Sequence, residues 1–85
     1  MADKDAEVIP LYIIVEGDTV VTLLLARWKL TMAELCERAL RSASVRLNPA
    51  QRYFVVVDGK PLSPETTVRD AGIAPLDRVD VRKWA

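Results

Sequence analysis

The chain has 85 residues, 51% of them hydrophobic, and only eight Gly plus Pro, a composition that fits one small folded domain with a single core. Twelve basic and twelve acidic residues cancel, which argues against a nucleic-acid-binding module and its basic footprint. A single cysteine excludes an internal disulfide, no apolar run reaches the ~18 residues of a membrane span, and the acidic "MADKDAE" start is the opposite of a secretory signal, so a reducing, cytoplasmic location is expected.

Residues 1–7 read as a flexible N-terminal tail, residues 8–83 as the domain and residues 84–85 as a short C-terminal tail. The domain opens with "VIPLYIIVEGDTVVTLLLA", two β-rich runs around a turn at Glu16-Gly17-Asp18. That pattern predicts a hairpin. Leu11, Ile13 and Val15 alternate with Tyr12 and Ile14, and both faces of the return strand are also apolar. One face of the hairpin meets the core, and the other is a candidate exposed patch.

"LTMAELCERALRSA" predicts the helix. Thr31 followed three residues later by Glu34 is a capping box, and Leu30 with Leu35 falls where a hydrophobic staple sits. Met32, Leu35, Ala39 and Ala43 share one face, with Cys36 and Leu40 beside it. Asn48-Pro49 marks a loop. "YFVVVDGKPL" predicts a third strand, an Asp58-Gly59 turn and a short return that Pro61 limits to an edge. After an irregular stretch, a last strand is expected over about Arg78–Lys83, from the alternation of Val79 and Val81 with Asp80 and Arg82. The order β-β-α-β-β-β predicts one helix on one face of a mixed sheet, with the last strand beside the first.

Catalytic signals are absent. The chain has no histidine, so the usual neutral-pH acid–base group is missing. No cysteine and carboxylate set has zinc-ligand spacing, and the three glycines are isolated at turns. Cys36, mid-helix beside the apolar stripe and next to Glu37, reads as a small buried hydrophobe. The expectation is a protein that is not an enzyme and uses no cofactor and no metal.

"DGKPL", "TTVRDAGI" with Val68, Asp70 and Ile73, and the helix start "TMAEL" together resemble ubiquitin and its family. The resemblance runs from Val8 to Lys83 and implies an α+β, ubiquitin-like β-grasp fold, a mixed four- to five-stranded sheet packed on one helix. The chain is most similar to bacterial ubiquitin-like proteins of conjugation operons, which share the "VEG"-type hairpin turn. Sulfur carriers, small proteins of type VII secretion, and Ras-association or adaptor modules remain alternatives.

The resemblance also implies where function sits. With Leu11, Ile13, Val55, Val79 and Val81 toward the helix, alternation sends Tyr12, Ile14, Phe54, Val56, Arg82 and Trp84 outward. In the family order these six form one partner-binding face, expected to be apolar in the middle with a cation at its edge. A modifier would present Ala85 for adenylation, with Arg82, Lys83 and Trp84 threading the activating enzyme. Trp84 and the missing Gly-Gly depart from the family tail. Lys60 matches a lysine used for chain linkage. The implied partners are E1-like and E2-like conjugation enzymes or a processing peptidase, and a protein target, with no nucleic acid and no membrane. The second expectation is a non-covalent adaptor or secretion-system component working through the same face.

Overall fold

The computed structural model describes residues 7–43 and 51–84. Strand β1 spans Val8–Val15, β2 Thr22–Arg27, helix α1 Met32–Ser42, β3 Tyr53–Val57, β4 Lys60–Pro61 and β5 Arg78–Lys83. They form one five-stranded sheet in the order β2-β1-β5-β3-β4, with α1 against one face. This is the ubiquitin-like β-grasp, α+β fold that the sequence predicts. Asn48-Pro49 and Ala85 lie outside the described residues, as do residues 1–6 of the expected N-terminal tail.

Strand β5 lies in the middle. It runs parallel to β1, with Ile13 opposite Val79 and Val15 opposite Val81, and antiparallel to β3, with Val55 opposite Val81. Those inward residues are at most 3% exposed and pack with Leu11, Leu35, Val68 and Ile73 into one core. On the hairpin, Leu24 and Ala26 turn inward and their neighbours Leu23 and Leu25 turn to solvent. The period-2 alternation of the strand decides this division.

The helix starts where its chemistry requires. The hydroxyl of Thr31 accepts from the Glu34 N–H at 3.2 Å, and the Glu34 carboxylate accepts from the Thr31 N–H at 3.2 Å. The N–H groups of Met32 and Ala33 donate to the carbonyls of Thr66 and Pro64. The amides that a helix start leaves unpartnered are thus used to bind residues 64–68. The Val68 N–H donates to Leu30 in return, and Val68 is fully buried. The two bonds from Thr31, its backbone N–H first and its hydroxyl second, lower the pKa of the Glu34 carboxyl. A lowered folded pKa means that this contribution is present at neutral pH and is lost as pH falls through the folded value.

Left-handed backbone includes two residues with a Cβ, Asp58 and Leu76. Asp58 and Gly59 have φ of 52° and 77° between Val57 and Lys60, which are register partners. Two positive φ values in a two-residue loop suit the twist of the flanking strands. Leu76 has φ of 69°, costly for a residue with a Cβ. Its N–H donates to the Pro10 carbonyl at 2.6 Å, which holds it there at the entry to β5.

Urea unfolding should separate the two faces of the sheet. Leu11→Ala should cost about 2–5 kcal/mol, and Leu25→Ala, on the open face, no more than about 0.5 kcal/mol. Thr31→Ala should cost about 1 kcal/mol through loss of the cap.

Candidate docking face

The sheet face turned away from α1 carries the residues expected to bind a partner. Tyr12 is exposed on β1, Ile14 beside it is half-buried, Phe54 is half-buried on β3, and Arg82 and Trp84 are exposed at the end of β5. One expectation needs correction. Val56 is on this face by register, opposite Asp80 on β5 and Pro61 on β4, but it is only 3% exposed. It sits between two paired strands and outside the main core cluster, so it is a covered residue of the outward side and not an accessible anchor.

The expected charge pattern is also reversed. The middle of the face is polar, because the central strand β5 turns Arg78, Asp80 and Arg82 outward. The Arg78 guanidinium meets the Asp80 carboxylate at 3.1 Å, and Asp80 is largely covered. The stripe separates two apolar areas. On the β3 side lie Phe54 and Trp84. On the hairpin side Tyr12 is opposite Leu23 and Pro10 is opposite Leu25, with Val8 at the end of the strand. Leu23 and Leu25 are 54% and 58% exposed. The partner-binding set named from the sequence lacks them, although the apolar alternation of the hairpin already marks one of its faces as open.

The residues expected to thread an activating enzyme are held in the sheet. Arg82 and Lys83 are the last residues of β5, opposite Phe54 and Tyr53. The Trp84 N–H donates to the Arg52 carbonyl at 2.9 Å, and the Gln51 side-chain amide donates to the Trp84 carbonyl at 2.9 Å. The Trp84 and Phe54 rings lie 4.5 Å apart at 33°. Lys60 is exposed on the edge strand β4.

Between α1 and β3 is a hollow of about 130 Å³, lined by Met32, Cys36, Tyr53, Leu62 and the Phe54–Trp84 pair among others. Cys36 is half-buried in it, and burial pushes its thiol pKa up. A raised pKa keeps the thiol protonated at neutral pH, so Cys36 is a poor nucleophile. No group of three or more His, Cys, Asp or Glu among the described residues is placed to hold a metal. Among the described residues no helix is long and apolar enough to cross a membrane.

The fold is that of a ubiquitin-like β-grasp domain whose outward face carries exposed apolar side chains. The family model of toluene-4-monooxygenase system protein B (TmoB) matches residues 8–82, and the chain belongs to that family. A chain of the toluene 4-monooxygenase HD complex with the inhibitor 4-bromobenzoate is similar in structure, with a TM-score of 0.79 and 20% identity, over 92% of this chain and 100% of that one. The ubiquitin of Caldiarchaeum subterraneum is similar with a TM-score of 0.73 and 16% identity, over 93% and 96% of the two chains. At these identities the likeness is one of fold. No curated protein sequence matches the chain.

Two measurements probe this end of the domain. Trp84→Ala and Phe54→Ala should show a coupling energy of about 0.5–1.5 kcal/mol in a double-mutant cycle. Cys36 should react with a thiol reagent near pH 8 much more slowly in the folded protein than in urea, where the burial that raises its pKa is gone.

Proposed function

We propose that this chain is a non-covalent accessory subunit of a multicomponent monooxygenase, contributing a docking surface and no catalytic group. The observation that carries this reading is the family match over residues 8–82. The chemistry of the chain supports it. There is no histidine, and the one cysteine is half-buried with a raised pKa. Oxidation of a substrate would therefore belong to the partner subunits, and this chain would act by binding them. Small rigid domains suit that role, since a preformed surface loses little conformational freedom on association.

Covalent modification through Ala85 is the competing reading. As the sequence resemblance implies it, Arg82, Lys83 and Trp84 would thread an activating enzyme. Two backbone-level hydrogen bonds, the strand pairing and the Phe54–Trp84 contact oppose that threading. They favour a Trp84 that remains docked while the protein works. No operon of conjugation enzymes is needed for the proposed role.

Co-expression with the monooxygenase subunits of the same genome tests the proposal. The chain should co-purify with them in fixed stoichiometry, separate from them in denaturing gels, and behave identically after removal of Ala85. A denaturation-stable adduct lost on removing Ala85 would make the protein a modifier. Failure to co-purify would remove the subunit reading.

A further inference from the structure

The hollow between α1 and β3 is a gap that the strand pairing leaves. Strand β4 pairs with Val56 and Val57 only, so among the described residues no strand flanks Tyr53 and Phe54 on that side of β3. Past β4, the Leu62 N–H donates to the Val55 carbonyl at 2.9 Å, and the Pro64 carbonyl accepts from the Ala33 N–H at the start of α1. Ala33 carries only a methyl there, and the space beside it stays open. The Phe54–Trp84 pair forms another wall, with the rings 4.5 Å apart. Trp84 is fixed by its backbone bonds to Arg52 and Gln51, so this wall stands before any ligand arrives.

We propose that this hollow binds an uncharged apolar molecule the size of a single ring. Its volume fits. It holds about 130 Å³, and an apolar cavity of about 150 Å³ admits benzene. The lining fits as well. Met32, Cys36, Leu62 and the ring pair meet there, and no charged side chain lines the space. An ion would lose its hydration with no charge to replace it. Water is poorly served too, since it needs two to four polar partners and the walls are mostly apolar. The sulfur atoms of Met32 and Cys36 make favourable contacts with an aromatic ring. Burial raises the Cys36 pKa, which agrees with a poorly hydrated site. The hollow on the outward face differs in kind. Glu16, Arg78, Asp80 and Arg82 line it, and it offers an apolar molecule little. Because every wall of the α1–β3 hollow comes from this chain, binding there requires no partner subunit.

The test titrates the full chain with benzene, and with sodium benzoate as a charged counterpart, while NMR follows methyl and indole resonances. Benzene should give saturable shifts at Met32, Leu62 and Trp84 and should slow alkylation of Cys36 at least threefold. Benzoate should do neither. Cys36→Leu, which fills the hollow, and Trp84→Ala, which removes a wall, should each weaken benzene binding at least tenfold with far-UV circular dichroism unchanged. Should Cys36→Leu fail to fold, Trp84→Ala decides. Shifts that are absent or do not saturate would overturn the proposal, as would equal binding by both variants, equal binding of benzoate, or shifts centred on Leu23 and Leu25. A hollow that ignores benzene in the free chain and is protected only in the complex with monooxygenase subunits would overturn it in favour of a partner's side chain. None of these outcomes bears on co-purification, so the subunit proposal stands or falls separately.

Discussion

The pairing of β5 between β1 and β3 is the constraint on which the rest of the molecule depends. This last of the five strands has two hydrogen-bonded neighbours, and it contributes Val79 and Val81 to the centre of the core with no exposure at all. Because the side-chain period of a strand is two, burying those valines obliges Arg78, Asp80 and Arg82 to face the other way. The same register that builds the core therefore divides the outward face with a charged stripe. A slip of one residue would bury three charged side chains and expose two valines, so the register is strongly specified.

That division explains why the two apolar areas of the outward face differ. At the β3 end, the sheet uses its apolar groups on itself. Val56 is covered between its neighbours, Phe54 is half-covered, and Trp84 closes against Phe54 while its backbone is bonded to Arg52 and Gln51. At the hairpin end Leu23 and Leu25 stand on the edge strand β2, which has a sheet neighbour on one side only. Among the described residues no strand lies beyond them to share their burial. Trp84, past the end of β5, stays 56% exposed like Leu23 and Leu25, so the covering at the β3 end falls on Val56 and Phe54.

Most of the fold was legible in the sequence because it is written in short-range chemistry. Thr31 and Glu34 announce the helix start three residues apart, Asp58-Gly59 supplies the positive φ values of a tight turn, and Pro61 marks an edge. The alternation in β1, β3 and β5 assigned inward and outward residues correctly. What it could not assign was depth on the outward side. Val56 and Tyr12 both alternate outward, and only the strand order tells that Val56 has partners on both flanks. Leu76 was equally silent, because nothing in a leucine signals a left-handed backbone. Its conformation is imposed by the bond to Pro10, 66 residues earlier in the chain. The docked state of Trp84 depends on Gln51, Arg52 and Phe54, which are likewise distant in sequence.

A ubiquitin-like fold says little about covalent chemistry, since fold and function separate readily. Covalent use of the fold needs a chain end that can leave the sheet, and non-covalent use needs only a face. In this chain Trp84 is engaged through its backbone and its indole ring, and among the described residues nothing covers the hairpin face. Releasing Trp84 would forfeit the ring contact and two hydrogen bonds and would open the hollow lined by Met32, Cys36 and Leu62. Occupying the hairpin face requires no such rearrangement, because Leu23, Leu25 and Tyr12 already stand where a partner would meet them. The lower conformational cost lies with association through a preformed surface.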